Sequence, residues 1–361
     1  MHRILAVNPG ATSTKFGLFA GVESLFRETL RHTAKELASF PTLADQLPFR
    51  ASLIRQALAA RGVALGELSA VAGRGGLMRP VAGGVYLVDE AMCQDLLPGV
   101  QGEHAANLGA PLARELARAA SEAAGRPVPA FVVDPVATDE FEPLARYSGL
   151  PELPRRSLCH ALNIKAVARR FAASLGRCYE ELNLVVAHLG SGFSTAALRG
   201  GRIVDAVGDE EGAFSPVRSG GLPSRSLVVL ATGGRLSREE LLRRLMQEGG
   251  LRAYLGTDDA LSIEARIAQG DDEARRVYQA MAYQVAKDIG ALATVLCGRL
   301  DAILLTGGLA RSALLTGWIT ERVRHLAPVH LFPGEEELQA LAEGAVRVLS
   351  GVEEAKSYTA D

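Results

Sequence analysis

The sequence predicts an α/β protein of about two domains, and three observations carry this. Short apolar runs alternate with longer amphipathic segments along the chain. A length of 361 residues with 48% hydrophobic side chains supports a large core and favours about two domains. One strand–turn–strand pattern occurs twice, once in each half of the chain.

In chain order, strands are predicted at "ILAV", "KFGLF", "SAVAG", "GVYLVD", "AFVVD", "LNLVVAHL", "STAALRG", "AILLTGG" and "PVHLF". Helical periodicity is clearest at 105–124, 156–175, 258–269, 271–298 and 335–350. In the long segment 271–298, Ala280, Ala282, Ala286 and Gly290 permit close packing, so it is expected to pack between domains or subunits. Residues 352–361, "VEEAKSYTAD", lack apolar periodicity and are expected to fray.

Composition narrows the function. A net charge of −2, from 39 basic and 41 acidic residues, gives no footprint for nucleic acid or an anionic membrane surface. Cys93, Cys159, Cys178 and Cys297 lie far apart, in neither zinc nor disulfide spacing, and read as reduced thiols. The apolar run in "MHRILAV" is too short for a signal peptide, and no stretch approaches a membrane span. The expectation is a soluble cytoplasmic protein with neither nucleic-acid nor membrane partners.

The repeat is "ILAVNPGATSTKFGLFAG" at 4–21 and "LNLVVAHLGSGFSTAALRGG" at 182–201. Glycines let backbone approach a ligand, and small hydroxyls with successive N–H groups offer donors to phosphate oxygens. Two such hairpins are expected to grip one polyphosphate from both sides of a cleft. Ordinary glycine-rich hairpins are the plainer alternative for either turn alone. "DAILLTGG" at 301–308 adds a buried strand ending in Gly307-Gly308, suited to lying under a nucleotide.

"NPGATSTK" (8–15), "GRGG" (73–76), "DPVATDEFEPLARYSGLPE" (134–152), "CHALNIKAVARR" (159–170), "AHLGSG" (187–192), "FSPVRSGGLP" (214–223), "YLGTDDA" (254–260) and "TGGLARS" (306–312) together resemble the butyrate kinases of the acetokinase family. The likeness runs in order through nearly the whole chain. It implies the superfamily of acetate kinases, sugar kinases, actin and the Hsp70 ATPase. The implied fold is two similar ribonuclease-H-like domains with an interdomain nucleotide cleft: an acyl-substrate domain at 1–152 completed by a helix at 334–351, and a nucleotide-binding domain at 153–333. It implies ATP/ADP with Mg2+ and a short-chain fatty acid or its acyl phosphate as ligands, and a homodimer or higher homo-oligomer. The alternatives are an acetate, propionate or branched-chain acid kinase, or a nucleotide-gated binding or assembly protein. Against the family pattern, Ala11 stands where serine is usual, Ser191 where glycine is usual, and Arg225 where a smaller residue is usual.

Moving a γ-phosphoryl group onto a carboxylate brings an anion to a polyanion, so positioned cations are required. Arg74, flanked by glycines at a strand end, and Arg218, in "VRSGG", are placed to reach a ligand; solvated surface charge is the ordinary alternative. By resemblance Arg74 receives the substrate carboxylate, while Arg218 and His160 meet the phosphoryl group in flight. Asp134, ending "AFVVD" before Pro135, is expected to orient the acceptor or a metal-bound water, with a helix cap as the alternative. Asn8, Ser13, Thr14, Lys15, His188, Gly190, Gly192, Gly307 and Gly308 form the expected nucleotide and phosphate set. By resemblance Glu336, with Asn8, is the expected Mg2+ side, helix-dipole compensation by Glu335–Glu337 being the alternative.

Overall fold

A computed structural model describes residues 1–358. The strand β1 (Arg3–Pro9) is buried along nearly its whole length, as expected of a strand covered on both faces. It pairs antiparallel with β2 (Ser13–Ala20), which pairs antiparallel with β3 (Glu23–Arg31). On its other side β1 pairs parallel with β4 (Ala70–Gly73), and β4 pairs parallel with β6 (Ala130–Val133). The edge strand β5 (Val85–Leu87) runs antiparallel to β6. The six-stranded order is β3-β2-β1-β4-β6-β5. One face packs Leu5, Val7 and Phe16 against Ile54 and Leu58 of helix Leu47–Ala60 and Leu112 and Leu116 of helix Gly109–Ala124. Helix Glu337–Leu349 returns to the other face, over β1, β4 and β6.

A second sheet repeats the plan. Strand β7 (Leu184–Leu189) pairs antiparallel with β8 (Phe193–Arg199), which pairs antiparallel with β9 (Arg202–Val207). Strand β10 (Ala302–Gly307) lies parallel between β7 and β11 (Val329–Pro333), giving the order β11-β10-β7-β8-β9. Helix Ala161–Ser174 covers one face through Ile164, Val167 and Phe171. The long helix Asp272–Val295 covers the other through Tyr278, Met281, Val285 and Ile289. In each sheet a three-stranded meander is followed by parallel strands, which is the ribonuclease-H-like plan.

The chain divides into two units, Met1–Asp139 with the segment from Glu336 onward, and Glu140–Glu335. The sequence assigns 140–152 to the first domain, but here this segment is tied to the second sheet. Glu140 forms a buried ion pair with Lys165 at 2.8 Å and accepts from the Ile203 amide at 2.8 Å. Removing one partner of such a pair strands a buried charge.

The C-terminal segment departs from the expectation of fraying, up to the last described residue. The Lys356 amide donates to Val85 and its carbonyl accepts from Leu87, adding a rung beside β5. Tyr358 is buried, with its hydroxyl on Asp95 at 2.5 Å. Residues 359–361, also covered by that expectation, lie outside the described residues.

Candidate active site

In the first unit the turn after β1 is closed by the Gly10 amide donating to the Ser13 carbonyl at 2.7 Å. Ala11 and Thr12 are exposed and Ser13 is half-buried. Lys15 lies opposite Asn8 in the β1–β2 ladder and is exposed. The structure turns Thr14 inward instead of toward a ligand: it is fully buried, accepts from Arg50 at 3.0 Å and bonds His32 Nε2 at 2.9 Å. Burial, and then the Arg50 charge, hold the His32 pKa below its ordinary value.

Arg74 leaves the end of β4 on a backbone wedged from both sides. A Cβ on Gly73 would stand 2.2 Å from the Gly109 carbonyl oxygen, and one on Gly75 would stand 2.4 Å from Pro135 Cβ. The same packing brings the Asp134-Pro135 corner beside the Arg74 loop. Asp134 is fully buried with φ +37°, a conformation that costs a non-glycine residue energy and marks functional corners. Its carboxylate accepts from the Gly84 amide at 2.8 Å, and its own amide donates to Gly84 at 2.9 Å.

Glu337 joins this group where the sequence pointed to Glu336. Its carboxylate lies 3.1 Å from Arg74 NH1 and accepts from the Asn8 side-chain amide. Glu336 faces Arg27 and solvent. Glu337 is the first residue of its helix and Glu336 is the non-helical N-cap, so the two side chains leave the backbone in different directions, one to Arg74 and Asn8 and the other to Arg27. Glu337 and the Asn8 amide oxygen, once that amide rotates, form a hard-oxygen donor set. It fits a magnesium ion, which binds through one or two carboxylates plus substrate phosphates. Among the described residues no three His, Cys, Asp or Glu side chains converge as a metal cage.

In the second unit His160 precedes helix Ala161–Ser174 and bonds Ser194 of β8 through Nδ1 at 2.8 Å. It stacks on His188 of β7, with centroids 4.0 Å apart and planes 14° from parallel. His188 is buried and accepts at Nδ1 from Asn163 at 2.9 Å, which turns Nε2 toward Glu335 at 3.4 Å. Asn163 is fixed in turn by Thr306 of β10 at 3.1 Å.

The second turn explains its own glycines. A Cβ on Gly190 would stand 2.4 Å from the Glu335 carboxylate, and one on Gly192 would stand 2.5 Å from Arg218 NH1. Arg218 pairs with Asp209 and lies over Gly192; burial lowers its pKa from the ordinary arginine value. Its loop is tied back to the turn by Ser215, whose hydroxyl donates to the Ser191 carbonyl at 2.7 Å. Helix Asp272–Val295 anchors the loop through Asp288, accepting from the Ala213 amide at 2.7 Å, and Gln284, accepting from Phe214 at 3.1 Å. Gly307 has φ +93°, and its Cβ would collide with the Leu189 backbone at 2.4 Å, whereas Gly308 is exposed with open space around it.

The predicted residues thus gather unit by unit. Asn8 and Arg74 meet at Glu337 beside the first turn, and the Asp134-Pro135 corner adjoins the Arg74 loop; His160, His188, Gly190, Gly192 and Arg218 stand with the second turn. Asp209, Glu335 and Glu337 are additions. Asp209 was marked in sequence only by its place in "GDEEG", ahead of the Arg218 loop.

Comparison with known proteins addresses the family and the fold. Residues 152–331 match the acetokinase family. Butyrate kinase 2 of Clostridium acetobutylicum is 49% identical over 358 residues, covering 99% of this chain and 99% of that protein. Among solved structures, an acetate kinase from Porphyromonas gingivalis has TM-score 0.78 at 17% identity, covering 98% of this chain and 100% of its own. A propionate kinase from Francisella tularensis has TM-score 0.72 at 20% identity, covering 95% and 99%. At those identities the structures support the fold alone, while the likeness to the clostridial protein reaches the whole chain: this protein belongs to the acetokinase family and is a kinase.

Proposed function

We propose that this protein transfers the γ-phosphoryl group of ATP to the carboxylate of butyrate, forming butanoyl phosphate and ADP, and catalyses the reverse reaction. The observation that carries this reading is the 49% identity over 99% of the chain to a butyrate kinase. In this reading the unit built on β1–β6 takes the acyl group, and the unit built on β7–β11 takes the nucleotide.

Butyrate, with a carboxyl pKa near the ~4.3 of glutamate, is ionised at pH 7 and needs no base. The barrier lies in bringing anions together and in the charge spread over the transferring phosphoryl group. Arg74, its backbone wedged by Gly73 and Gly75, exchanges Glu337 for the acceptor carboxylate. Asp134, fixed at its strained corner, orients that acceptor. Arg218 and the Nε2 edge of His160 donate to the phosphoryl oxygens; His188 and Ser194 hold the His160 ring. The amides of the two turns, with Ser13 and Lys15, bind phosphate, and Gly307-Gly308 accommodates the nucleoside. Mg2+ bound with the nucleotide would neutralise phosphate charge, and Asn8 and Glu337 are the residues that would hold it.

A homodimer or higher homo-oligomer in the cytoplasm belongs to the same reading. Helices Ser224–Thr232 and Arg238–Met246 bury no residue of their own, and Val228 and Val229 stand exposed on the first. Among the described residues no helix is long and apolar enough to cross a membrane.

Hydroxylamine trapping of acyl phosphate tests the reaction. With ATP, Mg2+ and butyrate the protein should yield butanoyl hydroxamate, and Arg218→Ala should lower kcat by at least about 100-fold, the scale of one lost charge donor. ATP hydrolysis without hydroxamate would favour a nucleotide-gated binding protein and overturn the proposal.

A further inference from the structure

Arg50 is fully buried on helix Leu47–Ala60, directly behind the first turn. Its NH1 donates to the carbonyls of Gly10 at 2.9 Å and Ser13 at 3.1 Å and to the Thr14 hydroxyl at 3.0 Å. Its NH2 donates to the Ala11 carbonyl at 3.3 Å, and Gln46 Oε1 braces the guanidinium through Nε at 3.1 Å and NH2 at 2.8 Å. All of these acceptors are neutral. A buried charge met only by dipoles is expensive, and here those dipoles belong to the turn.

In a planar trans peptide, each C=O points opposite to the N–H of the next residue. Drawing the Gly10 and Ala11 carbonyls onto Arg50 therefore aims the amides of Ala11 and Thr12 the other way, and both residues are exposed. Successive outward N–H groups make an anion-binding nest. We propose that Arg50 is a positioning residue for phosphate binding: it holds the turn's carbonyls inward so that the Ala11 and Thr12 amides face the phosphoryl group, and its charge adds to their attraction. This explains how the turn works without a hydroxyl at Ala11. It rests on the kinase reading for the identity of the anion.

The test is calorimetric binding of Mg·ATP and of adenosine to full-length Arg50→Met and Arg50→Lys, with steady-state KM for ATP and butyrate. Arg50→Met should weaken Mg·ATP at least about tenfold, or ~1.4 kcal/mol, while adenosine binding and the butyrate KM stay put; Arg50→Lys should recover much of the loss. Equal loss of ATP and adenosine binding, or a lower kcat with every KM unchanged, means that Arg50 only supports the fold and overturns the proposal. If Arg50→Met does not fold, Gln46→Leu, which frees the guanidinium, should raise the ATP KM several-fold; an unchanged KM overturns it equally. The binding comparison needs no acyl acceptor. Wild-type protein that binds Mg·ATP but forms no acyl phosphate would sink the butyrate reading and still leave Arg50 judged by the ATP-to-adenosine ratio.

Discussion

Arg74 and Glu337 form an ion pair at 3.1 Å, and Glu337 also accepts from Asn8, so one carboxylate ties the arginine after β4 to the end of β1. Its neighbour Glu336 pairs with Arg27 at the surface. Glu337→Gln should therefore lower kcat at least about tenfold and raise the Mg2+ concentration for half-maximal rate, because it removes charge where a donor to the metal is proposed. Glu336→Gln should change neither appreciably, an exposed pair being worth about 0–1 kcal/mol. A magnesium titration of both variants checks this; equal effects would return the metal role to Glu336.

Two glycines should fail in opposite ways. At Gly192 an added methyl meets the guanidinium end of Arg218 rather than backbone, so Gly192→Ala should displace that group and cut kcat with little change in Tm. At Gly307, φ is +93° and the methyl meets Leu189 backbone, so Gly307→Ala should cost stability, on the order of 2 kcal/mol or more. Thermal melts beside steady-state rates separate the two, and a destabilised Gly192→Ala with normal kcat would contradict the placement of Arg218.

Burial raises Asp288 to about 6, against 3.8 for an ordinary aspartate. Between those values the folded protein holds a proton that the unfolded chain has lost, so this group makes stability fall as pH rises from about 4 to about 6. Asp288→Asn keeps an acceptor for the Ala213 amide and removes that loss. Its Tm, compared with wild type, should rise by a few degrees between pH 4.5 and pH 7, at about 2–4 °C per kcal/mol. Parallel melting curves across that range would show that the carboxyl is not held protonated.

The sequence made legible what packing and glycine chemistry write plainly. Strands buried on both faces, such as β1, β7 and β10, read as unbroken apolar runs, and the paired turns announced themselves by composition. The third meander strands β3 and β9 were not picked out; β3 alternates exposed and half-buried residues, with its Glu, Ser and Arg side chains breaking the apolar pattern. The C-terminal segment looked loose because one residue, Tyr358, supplies its buried anchor. Among three consecutive glutamates, only where the helix starts decides which one turns toward Asn8. Arg50 shares the buried stripe of its helix with Ile54 and Leu58, a position at which arginine ordinarily reads as a surface charge.

Helices Ser224–Thr232 and Arg238–Met246 should be covered in the assembled protein. Sedimentation at micromolar concentration should give at least a dimer, and Val229→Glu, placing a charge on a residue 71% exposed in the single chain, should shift it toward monomer. A wild-type monomer under those conditions would contradict the proposed assembly.

The acyl acceptor is the centre of the account, and a series of kcat/KM values for acetate, propionate, butyrate, isobutyrate and valerate at fixed ATP and Mg2+ tests it most directly. Two methylenes separate acetate from butyrate, and each buried methylene is worth about 0.8 kcal/mol or more in an apolar pocket. The expected result is a preference for butyrate over acetate of roughly tenfold or more. Acetate as the best substrate would contradict it.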